Sequence, residues 1–153
     1  MSTKANRMKG SLTISDINLL LNFYDPLIKN GYKPKINKSK QSKEVIKYIK
    51  SLLPNAHKRH KKLNFKEECN IDLDYLLELL PEDMKCPVSG IKLNFGGHKS
   101  DTPSLDRINN DLGYIKGNVI YVCDYINTLK TDNTLESLKS FKKLIKNNPV
   151  SVT

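Results

Sequence analysis

Residues 104–130 constrain the fold most. Ser104-Leu-Asp-Arg-Ile108 alternates Leu105 and Arg107 on one face with Ser104, Asp106 and Ile108 on the other, which is the two-residue period of a β-strand. A polar loop follows, Asn109 to Gly117, with two glycines able to take positive φ. Asn118-Val-Ile-Tyr-Val122 is a second strand, rich in β-branched and aromatic residues, and Cys123 to Lys130 reads as a short helix. A strand–loop–strand–helix unit this short cannot bury much of itself. Its apolar faces need cover from elsewhere in the chain, and helices on both sides can supply it.

On the N-terminal side, Ile17, Leu20, Leu21, Phe23, Leu27 and Ile28 recur near helical spacing from Ser15 to Lys29, with Ser15 or Asp16 as N-cap. Pro26 either kinks that helix or starts a new turn. Asn30-Gly31 stops it, and Lys33–Lys40 reads as a basic loop. A second helix is expected over Lys43–Leu53, with Val45, Ile46, Ile49, Leu52 and Leu53 on one face and Pro54-Asn55 as its end. An acidic Leu-rich helix follows near Asn70–Leu80, capped by Asn70 or Asp72. Next come the Cys86-Pro-Val-Ser-Gly90 turn, a strand-like Ile91–Phe95 and a Gly96-Gly97 turn. Asn133-Thr-Leu-Glu136 has the form of a capping box, opening a last helix with Leu135, Leu138, Phe141, Leu144 and Ile145 as its buried stripe. The expected class is α+β, with a mainly helical basic region over residues 1–66 and a second unit over 67–153.

Charge separates those two regions. Residues 1–66 hold 16 Lys and Arg against three acids, and residues 67–153 hold 10 against 13. The halves carry +13 and −3, together the net +10. So basic a half-chain implies a polyanionic partner, nucleic acid being the commonest. The densest cluster, His57-Lys-Arg-His-Lys-Lys62, reads either as a solvated linker or as a phosphate-contacting strap through Lys58, Arg59, Lys61 and Lys62. No run of 18 apolar residues is present, so no membrane span is expected. Three cysteines and no apolar leader point to reduced thiols in a cytoplasm.

Asp106 is the residue best suited to chemistry. Its carboxylate is a hard ligand for Mg²⁺ or Mn²⁺, and one or two such ligands suffice when a phosphate supplies the rest. Asn127, one turn into the expected helix, can offer an amide oxygen to the same ion. From spacing alone the commoner reading of Asp106 is a local turn cap, and of Asn127 a solvated helix residue.

Thr102-Pro-Ser-Leu-Asp-Arg-Ile108, Gly113-Tyr114, Gly117-Asn118-Val119 and Asn127-x-x-Lys130, in that order, resemble the HNH (His-Me finger) endonucleases of bacteriophages and mobile elements. The likeness runs upstream to the Cys86 turn and downstream to Asp132-Asn-Thr-Leu-Glu-Ser-Leu138, covering about residues 70–146. It implies a ββα-metal finger with one divalent cation, Mg²⁺ or Mn²⁺, and DNA, most naturally double-stranded, as partner. Position by position, Asp106 falls at the strand-end metal ligand and Asn127 at the helix ligand. Asn118 falls at the middle Asn that braces the loop through backbone hydrogen bonds, and Lys130 at a basic position that contacts phosphate. If phage-encoded, the protein would act in the bacterial cytoplasm.

Two positions depart from the pattern. Arg107 stands where the family has its general-base His; an Arg cannot be deprotonated near neutral pH but can clamp a phosphate. His98, in the preceding turn, is then the nearby candidate base. The zinc knuckles of many relatives are reduced here to Cys86-x-x-Ser89 and Cys123-x-x-Ile126, so no structural zinc is expected, and Val88 and Ile126 are expected to fill that space. The leading expectation is a metal-dependent endonuclease. Its rivals are a repressor-like DNA-binding protein that lost hydrolysis and a protein-interaction module.

Overall fold

A computed structural model of the chain describes residues 13–96, 101–132 and 135–147. Five helices and two strands are defined there. They are α1 (Ile14–Asn30), α2 (Lys43–Lys62), α3 (Leu73–Leu79), β1 (Pro103–Arg107), β2 (Val119–Cys123), α4 (Asp124–Asp132) and α5 (Leu135–Asn147). The fold is mixed α+β with one small antiparallel sheet.

Helix α1 starts two to three residues earlier than Ser15 or Asp16 would place it. Thr13 is the N-cap, its hydroxyl accepting from the Asp16 N–H at 3.1 Å while the Asp16 carboxylate accepts from the Thr13 N–H, a reciprocal capping box. Pro26 lies inside the helix without ending it. The carbonyl that loses its donor belongs to Asn22, which is exposed to water. Gly31, at φ 85°, closes the helix by donating to the Leu27 carbonyl at 2.7 Å.

The expected stop of α2 at Pro54-Asn55 is wrong. The helix runs through Pro54 to Lys62 and takes in the whole basic cluster. Only the Lys50 carbonyl forfeits its partner, and Lys50 faces solvent. The basic last turn also suits the negative end of the helix dipole. Ile49, Ala56 and His60 form the buried stripe, which anchors the second half of the helix. The expected strand at Ile91–Phe95 reduces to a tight hairpin, in which Cys86 donates to the Ile91 carbonyl and Leu93 to that of Met84. The Asn133–Thr134 cap, Gly97 and His98 lie outside the described residues; of the expected α5 stripe, Leu138 is buried.

In the sheet, Leu105 pairs with Tyr121, Asp106 with Ile120 and Arg107 with Val119. Every residue of β2 is buried. One core gathers Ile17, Leu20 and Tyr24 of α1, Ile49 of α2, Leu76 of α3, the β2 residues, Ile126 and Leu138. Residues from both sides of the charge boundary at 66/67 therefore share it. Polar ties cross the same boundary: the Tyr48 hydroxyl donates to the Pro103 carbonyl at 2.7 Å and that of Tyr24 to Asp106 Oδ2 at 2.8 Å. Among the described residues no helix is long and apolar enough to cross a membrane.

Candidate functional site

Strand alternation turns the Asp106 side chain inward. Its Oδ2 accepts a hydrogen bond from the Tyr24 hydroxyl at 2.8 Å and pairs with the Lys130 ammonium at 3.0 Å. Asp106 and Lys130 side chains are 9% and 2% exposed. Burial raises the Asp106 pKa, an effect the Lys130 charge opposes, and burial likewise lowers the Lys130 pKa against the pull of Asp106. Desolvation thus outweighs attraction on both partners. Tyr24, also buried and beside a carboxylate, is raised well above the ordinary phenol range. Lys130 was expected to contact phosphate. It points inward instead, donating also to the Arg107 carbonyl and the Asn110 amide oxygen, with the Tyr24 ring centroid 4.6 Å from its nitrogen.

Arg107 occupies the opposite face of β1. Its Nη1 donates to the carbonyls of Asn110 (3.0 Å) and Leu112 (3.2 Å), and its guanidinium carbon lies 5.7 Å from the ring centroids of both Phe65 and Tyr114. Asn118 ties the same loop from below. Its amide oxygen accepts from the Asn109 N–H at 2.9 Å, and its amide nitrogen donates to the carbonyls of Asn109 (3.1 Å) and Gly113 (2.8 Å). Those three bonds close the loop between the strands on itself.

A cleft of about 540 Å³ opens beside these residues, lined by Asp106, Arg107, Asn110, Asn127 and Lys130 together with Arg59, Lys62, Leu63 and Tyr114. The four cations there face one carboxylate. Of the basic cluster, Arg59 and Lys62 share a face of α2 and line the cleft, whereas Lys58 and Lys61 project elsewhere into solvent. Asp106, Arg107, Asn127 and Lys130 are therefore brought together, with half of the cluster beside them. Asp106 and Asn127 bring hard oxygen donors to one cleft, a pair suited to Mg²⁺ or Mn²⁺ when phosphate and water complete the shell. No group of three or more His, Cys, Asp and Glu side chains in metal-binding geometry occurs among the described residues. At the knuckle positions, Cys86 and Cys123 are buried free thiols, the Ser89 hydroxyl lies 3.4 Å from the Cys123 sulfur, and Val88 and Ile126 are in the core.

Tyr24 and His60 were missed from the sequence. The Tyr24 position was legible as core, since it continues the Ile17, Leu20, Leu21 stripe, and a buried Tyr needs a partner for its hydroxyl. That the partner is Asp106, 82 residues on, was not. His60 receives the Tyr114 N–H on Nδ1 at 3.0 Å and lies 2.6 Å through Nε2 from the Glu67 carbonyl, which fixes the neutral Nε2–H tautomer. Both ring nitrogens are committed to backbone, so this His is a brace between α2 and the loop.

The chain is 34% identical over 99 residues to a protein of Enterobacteria phage T4 described as an uncharacterized 29.0 kDa protein in the dda-modA intergenic region. The match covers 65% of this chain and 38% of that protein, so the chain spans well under half of its relative. No family model and no solved structure matches the chain.

Proposed function

We propose that the protein is a DNA-binding endonuclease of the HNH type, with residues 103–132 as its ββα-metal finger and a single Mg²⁺ or Mn²⁺ held by Asp106 and Asn127. The observation that supports the reading is the cleft itself, where two residues with hard oxygen donors, Asp106 and Asn127, line the same space as Arg59, Lys62, Arg107 and Lys130. When bound, the metal would polarise the scissile phosphate and stabilise the leaving oxyanion. The chain's own residues do the rest. Arg59 and Lys62 draw the phosphodiester backbone into the cleft, and the exposed lysines of α2 add sequence-independent affinity. Arg107 and Asn118 hold the loop that forms one wall. Tyr24 orients the Asp106 carboxylate from behind.

A second reading, a DNA-binding protein without hydrolysis, is favoured by the side chains nearest Asp106. Lys130 already neutralises it, Arg107 cannot accept a proton, and His60 has both nitrogens engaged. One experiment separates the two. Supercoiled plasmid is incubated with the protein and Mg²⁺ or Mn²⁺, beside Asp106→Ala and Asn127→Ala variants checked for folding. Nicking that disappears in both variants supports the endonuclease. Salt-sensitive DNA retention without cutting under either metal sinks it and leaves the binding protein. Affinity with no salt dependence sinks both and favours a protein-interaction module.

A further inference from the structure

The Lys130 ammonium sits where a small hard cation would. Around it are the Asp106 carboxylate at 3.0 Å, the Arg107 carbonyl, the Asn110 amide oxygen and the Tyr24 π-face. Carboxylate, carbonyl and amide oxygens are the donor types that a divalent metal takes from a protein. Both contacts to Asp106 fall on the same oxygen, Oδ2. A dication approaching this carboxylate therefore meets a positive charge already seated on it. That charge is a compact ammonium on a flexible four-carbon stem, which can swing toward a new anionic partner. Arg59, Lys62 and Arg107 line the cleft outside, so an anion entering there lies within reach of Lys130 as well.

We propose that Lys130 is a tethered counter-ion that closes Asp106 to the metal until a nucleic-acid phosphate draws the ammonium outward, so that metal and phosphodiester bind cooperatively. This rests on the reading of Asp106 as a metal ligand, and it assigns a regulation to that ligand. DNA-free protein holds its divalent ion weakly, and DNA strengthens that hold. By thermodynamic reciprocity the ion strengthens DNA binding by the same factor.

The test is Mn²⁺ binding by the full chain, read from the loss of the free-ion electron paramagnetic resonance signal, with and without a phosphorothioate duplex that resists cleavage. In wild type the duplex tightens Mn²⁺ binding by roughly tenfold or more, within the usual range of coupling between sites. Lys130→Gln binds Mn²⁺ about tenfold more tightly than wild type without DNA, and its gain on adding DNA is smaller. Lys130→Arg keeps the charge and stays as weak as wild type. Lys92→Gln, which removes the charge of an exposed lysine that does not line the cleft, shifts the DNA-free Mn²⁺ affinity by no more than about twofold. Equal DNA-free affinities for wild type and Lys130→Gln, in folded proteins, overturn the gate while leaving the metal site standing. If neither protein binds Mn²⁺ even with DNA, the metal reading fails and the gate with it.

Discussion

The buried Asp106–Lys130 pair makes a stability prediction independent of any activity. Replacing Asp106 by Asn keeps the volume and an acceptor for the Tyr24 hydroxyl but leaves the Lys130 ammonium without its counter-charge, in a site where its side chain is 2% exposed. Two unit charges 3.0 Å apart attract by about 5–6 kcal/mol at an effective dielectric constant near 20. Removing one partner of a buried pair typically costs about 3–5 kcal/mol. Lys130 keeps the Arg107 carbonyl and the Asn110 side chain, which places Asp106→Asn at the lower end, about 3 kcal/mol. For a chain of 153 residues that is a fall in Tm of roughly 6–12 °C. Asp106→Asn with Lys130→Met removes both charges and returns to within about 1 kcal/mol of wild type, or above it.

Lys130→Met alone adds a pH signature. The folded pKa of Asp106 is already raised above its unfolded value by burial, and losing the Lys130 charge raises it further. Between the unfolded carboxyl pKa, about 3.9, and the folded one, the native state binds more protons than the unfolded state. Stability then falls as pH rises through the folded pKa, so the defect of Lys130→Met is smallest near the unfolded pKa and grows toward neutrality. Urea titrations of the four proteins at two pH values measure the whole cycle. If Asp106→Asn melts within about 1 °C of wild type, the pair is not buried as described and the reasoning is refuted.

Three other perturbations probe the surroundings. Asn118→Ala removes three side-chain hydrogen bonds to the 109–117 loop; at about 1 kcal/mol each the expected loss is about 3 kcal/mol, measured by urea unfolding, and a loss below about 1 kcal/mol would show the loop closed by other means. Gly113→Ala puts a methyl carbon 2.2 Å from His60 Nδ1 and 2.9 Å from Phe65. It must push the ring off the Tyr114 N–H, for about 1–3 kcal/mol of overpacking and faster amide exchange at Tyr114; unchanged exchange there contradicts the His60 brace. Arg59→Ala with Lys62→Ala is expected to weaken DNA binding more than Lys58→Ala with Lys61→Ala, each pair lowering the salt slope by up to about two. Equal effects in filter binding would mean the cleft has no privileged claim on phosphate.

The local signals in the sequence carried most of the element identities. The alternation at 104–108 and the β-branched run at 118–122 placed the strands to within one residue. Their ends shifted because pairing sets them: Pro103 lacks an N–H but can begin a strand, where it pairs with Cys123. Pro54 misled for the complementary reason. A proline ends a helix when its lost hydrogen bond and steric clash are not offset, but Lys50 is solvated and Ala56 and His60 are buried beyond it. Tertiary packing thus favours continuation, and no window of local sequence reports that packing.

The cleft was legible in the residues that line it and illegible in their supports. Asp106, Asn127, Arg107 and Lys130 are close in sequence, so strand alternation and helical spacing could gather them. Tyr24 and His60 reach the site across 82 and 54 residues. Those contacts change what the local residues do. Without Tyr24 and the surrounding core, Lys130 would be a solvated helix residue available to phosphate; with them, its ammonium is desolvated and committed to Asp106. Without Phe65, Tyr114 and the loop carbonyls, Arg107 would read as a free phosphate clamp; with them, it is also a wall of the cleft. The N-terminal region, expected to contribute charge for DNA, therefore supplies the buried groups that decide the resting state of the carboxylate. On the proposed reading its solvated lysines would act on DNA affinity, which salt weakens, whereas Tyr24 acts on the electrostatics of Asp106 in a site that salt hardly screens. Raising ionic strength should consequently release DNA long before it disturbs the Asp106–Lys130 pair.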